Sequence, residues 1–226
     1  MGDAGGVSTD WAAWHAPYDD PTSPLSARLA AVRQQVAAAL DRAPEGPLRL
    51  LSLCAGQGRD VLPLLREHPR GPDVRARLVE ADAADVAAAR VEAARGAAGS
   101  EVDVVQGDAG STDACSGAVP ADVLLLCGIF GNVEDEDVRR TLHAVPVLLA
   151  PGGTVLWTRS RHAPDLTPAM RGWQAEAGVE EVAFVAEPGQ GWSVGAGVLR
   201  GPAQPLVPGE RLFTFTRRPP RSDAAR

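Results

Sequence analysis

The segment LRLLSLCAGQGRDVLPLL, residues 48–65, constrains the fold of this chain more than any other. It begins as an apolar run typical of a buried β-strand, passes Gly56 and Gly58, and continues with the apolar spacing of a helix. In a doubly wound α/β sheet, ligands bind beyond the carboxyl ends of the strands, and the first strand-to-helix turn lies beside that site. The two glycines therefore fit either a backbone that passes close to a ligand or a turn that is simply tight.

Strand-like and helix-like runs alternate along the rest of the chain. The predicted strands are Leu48–Leu53, Ala76–Val79, Val102–Val105, Val123–Leu126, Thr154–Trp157, Glu181–Val185 and Leu212–Thr216. Apolar spacing predicts helices near residues 25–40, 58–67, 84–95, 135–149 and 165–177. Residues 187–208 are rich in Gly and Pro, which predicts a long connection before the last strand. This alternation predicts an α/β fold with a mostly parallel sheet and helices on both faces.

Length and composition favour a single domain. The chain has 226 residues and is 45% hydrophobic, which is enough to bury one sizeable core. Within that domain we expect an N-terminal arm and helix at residues 1–45, a core at residues 46–218 and a tail at residues 219–226.

The net charge and the cysteine content limit the classes of partner and site that this chain is expected to have. The net charge of -7 disfavours a nucleic-acid partner, which requires a basic face. Cys54, Cys115 and Cys127 have no ligand-like spacing, so we expect neither a disulfide framework nor a metal site. No apolar run reaches the roughly 18 residues of a membrane span. We therefore expect a cytoplasmic protein whose partner is a small molecule.

Acidic residues stand at or just past the ends of two predicted strands. Glu80 comes roughly 20 residues after the glycine turn, where an acid can accept hydrogen bonds from both hydroxyls of a ribose. Asp108 follows the third strand, and Cys127 and Gly128 follow the fourth. Each acid alone fits a helix cap or a solvated turn, but their joint order favours a nucleoside site. A dinucleotide fingerprint requires a third glycine where Val61 stands, and this departure weakens the case for a nicotinamide cofactor.

These motifs together resemble those of the class I S-adenosylmethionine-dependent methyltransferases, over about residues 48–216. LLSLCAGQGRD resembles the glycine-rich first motif, LVEADAADVAAAR the acidic second motif, VVQGDAG the adenine-binding segment and LLAPGGTVLWT the turn into the fifth strand. The resemblance implies a Rossmann-like, seven-stranded, doubly wound sheet whose last strand runs antiparallel between the fifth and sixth. We assign ERLFTFTR to that inserted strand.

The resemblance also implies S-adenosylmethionine as cofactor and a set of residues that bind it. Glu80 takes the ribose position and Asp108 meets the adenine amino group. Ser52 stands where the family often has an acid, and Cys54 stands where it often has a glycine. We hypothesise that Asp60 supplies the missing charge. The complete implied set is Tyr18, Ser52, Cys54, Ala55, Gly56, Gly58, Asp60, Glu80, Ala81, Asp108, Ala109, Cys127 and Gly128.

Methyl transfer from a sulfonium is an in-line displacement, so the protein mainly aligns the reactants. A base is needed only when the acceptor arrives protonated. In the aromatic N-terminal stretch, His15 and Tyr18 are candidate catalytic residues and Trp14 a candidate acceptor contact. An arm whose aromatic side chains only anchor it to the core fits the same stretch equally well.

Further acceptor contacts are expected at the ends of the later strands. Phe130 follows the fourth strand, and ordinary loop packing is the alternative. Arg159 and His162 follow the fifth strand, where they would hold an acceptor carboxylate or simply cap the sheet edge.

Three functions stay open at this point. The leading one is a methyltransferase that acts on a small molecule. The second is a protein of the same fold that binds the cofactor without transferring a methyl group. The third is a nicotinamide-dependent oxidoreductase.

Overall fold

The computed structural model describes residues 18, 20–96 and 100–216. Within these residues seven strands form one sheet in the order β3-β2-β1-β4-β5-β7-β6. The strands are β1 (Leu48–Leu53), β2 (Val74–Glu80), β3 (Glu101–Gln106), β4 (Ala121–Leu126), β5 (Leu149–Ser160), β6 (Val179–Val185) and β7 (Trp192–Leu199). The helices are α1 (Pro24–Arg42), α2 (Leu62–Glu67), α3 (Ala83–Ala93), α4 (Asp135–His143), α5 (Val145–Leu148) and α6 (Thr167–Glu176).

The predicted fold class is confirmed. β1 pairs in parallel with both β2 and β4, which makes it the strand at which the order of the sheet reverses. β7 pairs antiparallel with β5 on one side and β6 on the other. The carboxyl ends of β1, β2, β3 and β4 therefore share one edge, where such folds place ligands.

The strands are almost continuously hydrophobic because both faces of the sheet are covered and buried. In β1 every residue except Arg49 is buried. Two buried clusters lie on the two faces, and α1 belongs to one of them through Val32, Val36 and Leu40. α1 begins where expected, because Ser23 caps it by accepting the Ser26 N–H at 3.1 Å.

The position of the last strand was predicted wrongly. Residues 192–199, assigned to a long connection, form β7, and residues 212–216 lie outside the sheet. The glycines that suggested a loop are required by packing. A Cβ on Gly195 would lie 2.2 Å from the Trp157 ring, and a Cβ on Gly197 would lie 2.3 Å from Gln174. These two side chains occupy the space, and Trp157 donates its Nε1–H to Gln174 Oε1 at 2.6 Å.

None of the helices among the described residues has the length and apolar character needed to cross a bilayer.

Candidate functional site

A cavity of about 870 Å³ opens at the carboxyl edge of the sheet. This volume is within the usual range for small-molecule and cofactor sites, about 300–1,000 Å³. Its walls come from the loops after β1, β2, β3 and β4 and from the first turns of α1. The topological switch beside β1 therefore carries the cavity that the sequence predicts there.

The turn after β1 forms the floor of the cavity. Cys54, Gly56 and Gly58 all adopt positive φ, at 55°, 52° and 70°. This conformation is natural for glycine and strained for cysteine. The Ala55 N–H donates to the carbonyl of Val79 at 3.0 Å, which ties the turn to the end of β2.

Glu80 organises two loops at once. Its Oε2 accepts the Gly56 N–H at 2.8 Å, and its Oε1 accepts the N–H groups of Ala81 at 2.8 Å and Asp82 at 2.9 Å. A carboxylate can accept about four hydrogen bonds. The geometry therefore leaves Oε2 room for about one more donor, not for two ribose hydroxyls on separate oxygens.

Asp108 lies on the β3 side of the cavity. Its Oδ1 accepts the Gly110 N–H at 2.8 Å, and its Oδ2 accepts from Arg211. Partial burial raises the pKa of this carboxyl, but the Arg211 and Gly110 hydrogen bonds and the Arg211 charge outweigh that effect and hold it below its usual value. Asp108 is therefore a fixed anion at the cavity wall.

Asp60 lies on the β4 side, close to Cys127, and is partly buried. Burial raises its pKa from 3.8 to about 6, although backbone N–H groups and the charges of Arg33 and Arg28 oppose the shift. Its Oδ1 has no hydrogen-bond partner among the described residues. Asp60 borders the cavity, and its Oδ1 is itself buried. A buried carboxylate oxygen without a partner is costly, so a cationic or hydrogen-bond-donating group brought next to it would be stabilised.

Tyr18 lies next to Asp60, at the amino-terminal entry to α1. Its hydroxyl oxygen accepts from Arg28 Nη2 at 2.8 Å, and the Arg59 guanidinium lies 5.8 Å from the centre of its ring. Burial raises the pKa of Tyr18, with the Arg28 charge opposing it. The phenol is therefore neutral at physiological pH and donates a proton in hydrogen bonds rather than acting as a base.

The two cysteines at the cavity are not activated thiols. Burial raises the pKa of Cys54, and the negative charge of Glu80 adds to the effect. Burial likewise raises the pKa of Cys127, with a further contribution from Asp60. A nucleophilic cysteine requires a lowered pKa, so neither thiol is suited to covalent catalysis.

The structure brings most of the predicted cofactor residues to the cavity. Those that line it are Tyr18, Cys54, Ala55, Gly56, Asp60, Glu80, Ala81, Asp108, Ala109, Cys127 and Gly128. Ser52 and Gly58 do not line it. Ser52 is only 1% exposed within β1, and a Cβ on Gly58 would contact Leu62 and Leu78 beneath the turn.

The predicted acceptor residues lie elsewhere. Phe130 is fully buried in the hydrophobic core, Arg159 lies 3.9 Å from Asp135, and His162 is exposed beside Gly191. None of these three lines the cavity. Trp14 and His15 lie outside the described residues.

Several residues that line the cavity were not among the predicted site residues. Arg28, Leu29 and Val32 come from one face of α1, and Phe215 comes from beyond the sheet. The helical spacing of the first three carried a usable signal, since i, i+1 and i+4 share a face. Phe215 carried none, because its segment was assigned to a strand.

No protein-family model and no curated protein matches this sequence. Solved structures do match. A magnesium protoporphyrin IX methyltransferase from Synechocystis PCC 6803, crystallised with bound S-adenosylmethionine, has a TM-score of 0.66 at 13% identity over 84% of this chain and 91% of that chain. An O-methyltransferase family protein from Burkholderia thailandensis has a TM-score of 0.56 at 16% identity, over 76% of this chain and 57% of that one.

A ribosomal protein L11 methylase from Lactobacillus delbrueckii subsp. bulgaricus also matches, with a TM-score of 0.53 at 13% identity over 75% of this chain and 79% of that chain. The chain therefore has the fold of the class I methyltransferases. At such identities the likeness establishes the fold alone, and the names of these neighbours include both small-molecule and protein acceptors.

Proposed function

We propose that this protein is an S-adenosylmethionine-dependent methyltransferase that acts on a small-molecule acceptor. The observation that carries the proposal is the pairing of two kinds of acid across one cavity. Glu80 and Asp108 lie on one side with part of their accepting capacity unused, and the buried Asp60 has an unpartnered Oδ1 on the other side. An adenosine joined to an amino acid is a ligand that needs both.

The residues present fit this cofactor. Glu80 Oε2 has capacity for a ribose hydroxyl, and Asp108 is an anionic acceptor for the adenine amino group. Asp60 takes the role of the acid that is missing at Ser52, because its free oxygen suits the ammonium of the methionine part. When bound, the cofactor supplies a methyl group already activated by a sulfonium.

The remaining lining residues exclude water and orient an acceptor. Leu29 and Val32 of α1 present apolar surface to the cavity, which favours displacement of water around the reactants. Tyr18 is a neutral hydrogen-bond donor beside them, held by Arg28. We assign Tyr18 to orienting the acceptor. Trp14 and His15 stay candidates for closing the site and for proton transfer.

A binding experiment tests the cofactor. Calorimetric titration with S-adenosylmethionine, S-adenosylhomocysteine and NAD should show binding of the first two and no binding of NAD. Binding of NAD alone would instead indicate an oxidoreductase.

A turnover experiment tests the reaction. Incubation with a metabolite library and a cofactor labelled in its methyl group should yield a labelled product by mass spectrometry. Cofactor binding without any labelled product across acceptors of each class (O, N, C and S) would favour the binding protein of the same fold.

A further inference from the structure

The segment from Arg211 to Thr216, here called the C-terminal strap, crosses the carboxyl edge of the sheet. It forms an isolated antiparallel bridge from Arg211 to Ser111, after β3, and another from Phe215 to Val133, after β4. Between these bridges the strap passes over two loops that bear cavity residues, and Phe215 reaches the cavity itself. The strap therefore holds together the two loops between which it runs.

The strap is firmly anchored. Leu212 and Phe213 are buried in the core, at 2% and 1% exposure. The Leu212 N–H donates to the Gly110 carbonyl at 2.8 Å, and the Leu212 carbonyl accepts from Thr141 Oγ1 at 2.9 Å. Asp137 of α4 accepts the Thr214 N–H at 2.7 Å.

Gly110 shows that the loop after β3 is shaped to receive the strap. A Cβ on this residue would lie 2.3 Å from the Phe213 carbonyl oxygen and 3.1 Å from Asp108 Oδ1. No side chain other than hydrogen fits between the strap backbone and Asp108. The loop that presents Asp108 and the strap are therefore packed as one unit.

Arg211 contacts Asp108 from outside the cavity. It donates from Nη1 to Asp108 Oδ2, while Asp108 lines the cavity and Arg211 does not. Gly110 N–H holds the other oxygen. With one donor on each oxygen, the plane of the carboxylate is fixed and each oxygen keeps accepting capacity for a ligand.

We propose that Arg211 is a positioning residue for nucleoside recognition, and that it holds Asp108 as an oriented anion for the adenine amino group. The inference rests on the proposed function. It assigns to the strap, which lies outside the motifs of the methyltransferase fold, a part in binding the cofactor.

The test compares Arg211→Gln with Arg200→Gln, a matched control. Arg200 also pairs with a carboxylate at the surface, Glu180 at 2.6 Å, but does not line the cavity. Affinities are measured by calorimetry for S-adenosylhomocysteine and for its desamino analogue, which has hydrogen in place of the adenine amino group. Melting temperatures show whether each variant is folded.

Arg211→Gln should bind S-adenosylhomocysteine about fivefold more weakly than wild type, the scale of one exposed ion pair. The desamino analogue should bind wild type and Arg211→Gln equally, because it lacks the group that Asp108 accepts. Arg211→Lys, which keeps the charge, should restore most of the affinity and provides a second variant if Arg211→Gln is unfolded. Arg200→Gln should bind both ligands as wild type does.

An equal loss for both ligands would overturn the proposal and make the strap purely structural, as would no loss for either. If wild type binds neither S-adenosylmethionine nor S-adenosylhomocysteine, the proposed function itself fails. That result is distinguishable, because it appears before any variant is made.

Discussion

The carboxylates on the two sides of the cavity differ in how their oxygens are hydrogen-bonded. On the β3 side, Glu80 accepts three backbone N–H groups and Asp108 accepts Gly110 and Arg211. On the β4 side, Asp60 has one buried oxygen without a partner among the described residues, and burial raises its pKa to about 6. On the first side every carboxylate oxygen has a protein donor, and on the second side one oxygen has none among the described residues.

This difference predicts opposite effects on stability. An acid whose oxygens are already satisfied stabilises the folded protein, so replacing it costs stability. An acid that is buried without full compensation destabilises the folded protein when charged, and a cationic ligand relieves that cost. Substitutions on the two sides therefore separate contributions to folding from contributions to binding.

The largest expected effect is that of Asp60→Asn on the pH dependence of stability. Because the pKa of Asp60 is raised from 3.8 to about 6 in the folded state, the folded protein binds more protons than the unfolded chain between these values. Its free energy of unfolding therefore falls as pH rises through this window, by about 3 kcal/mol in total. Asp60→Asn should remove that fall, as measured by denaturant unfolding from pH 4 to pH 7.

At pH 7 Asp60→Asn should thus be more stable than wild type and bind S-adenosylhomocysteine more weakly. Asp135→Asn is a suitable control, because the Asp135 side chain is 64% exposed. A variant that binds the ligand with unchanged affinity would remove Asp60 from the ammonium site.

The next effect is that of Glu80→Gln, on the opposite side of the cavity. The amide keeps the size of the side chain but offers one accepting oxygen, so at least one of the backbone N–H groups at Gly56, Ala81 and Asp82 loses its partner. We expect a loss of S-adenosylhomocysteine affinity of roughly 1.5–3 kcal/mol, together with a lower melting temperature. Glu101→Gln, at a glutamate that is 72% exposed, is the matched control. If Glu80→Gln were more stable than wild type, as is expected for Asp60→Asn, the predicted opposite effects on the two sides of the cavity would be wrong.

The smallest effect is expected for Tyr18→Phe. The substitution removes the hydroxyl that accepts from Arg28 and leaves the ring beside Arg59. Methyl transfer should fall by about 1 kcal/mol of transition-state stabilisation or less, with cofactor affinity nearly unchanged. Kinetics of Tyr18→Phe in an Arg28→Met background are the check, since the loss should be smaller where Arg28 no longer holds the hydroxyl. A loss as large as that expected for Glu80→Gln would make Tyr18 a central cofactor residue.

The first half of the fold could be predicted because the local pattern of apolar residues and glycines determines the secondary structure there. Leu48–Leu53 is apolar on both faces and ends at glycines, and the observed strand has the same bounds. Glu80 is the last residue of β2 and Asp108 lies two residues after β3, so the topology of the sheet alone places both at its carboxyl edge, beside the cavity.

In the second half, the prediction of the last strand was wrong because tertiary packing there overrides the local sequence pattern. β7 contains glycines because Trp157 and Gln174 need the space, and neither is near β7 in sequence. Conversely, residues 212–216 have the alternating pattern of a strand but lie outside the sheet, where the buried side chains of Leu212 and Phe213 anchor the strap. Arg28 and Phe215 were missed for the same reason, because they reach the cavity from elements far from the βα loops.

The strap also bears on the order in which this protein matures during synthesis. Tyr18 and Phe215 come from opposite ends of the described chain and both line the cavity. While residues 211–216 are still in the exit tunnel of the ribosome, the nascent chain lacks Phe215 at the cavity and the guanidinium beside Asp108. The sheet is then free to fold while the cavity is incomplete, so the proposed nucleoside site forms later than the core.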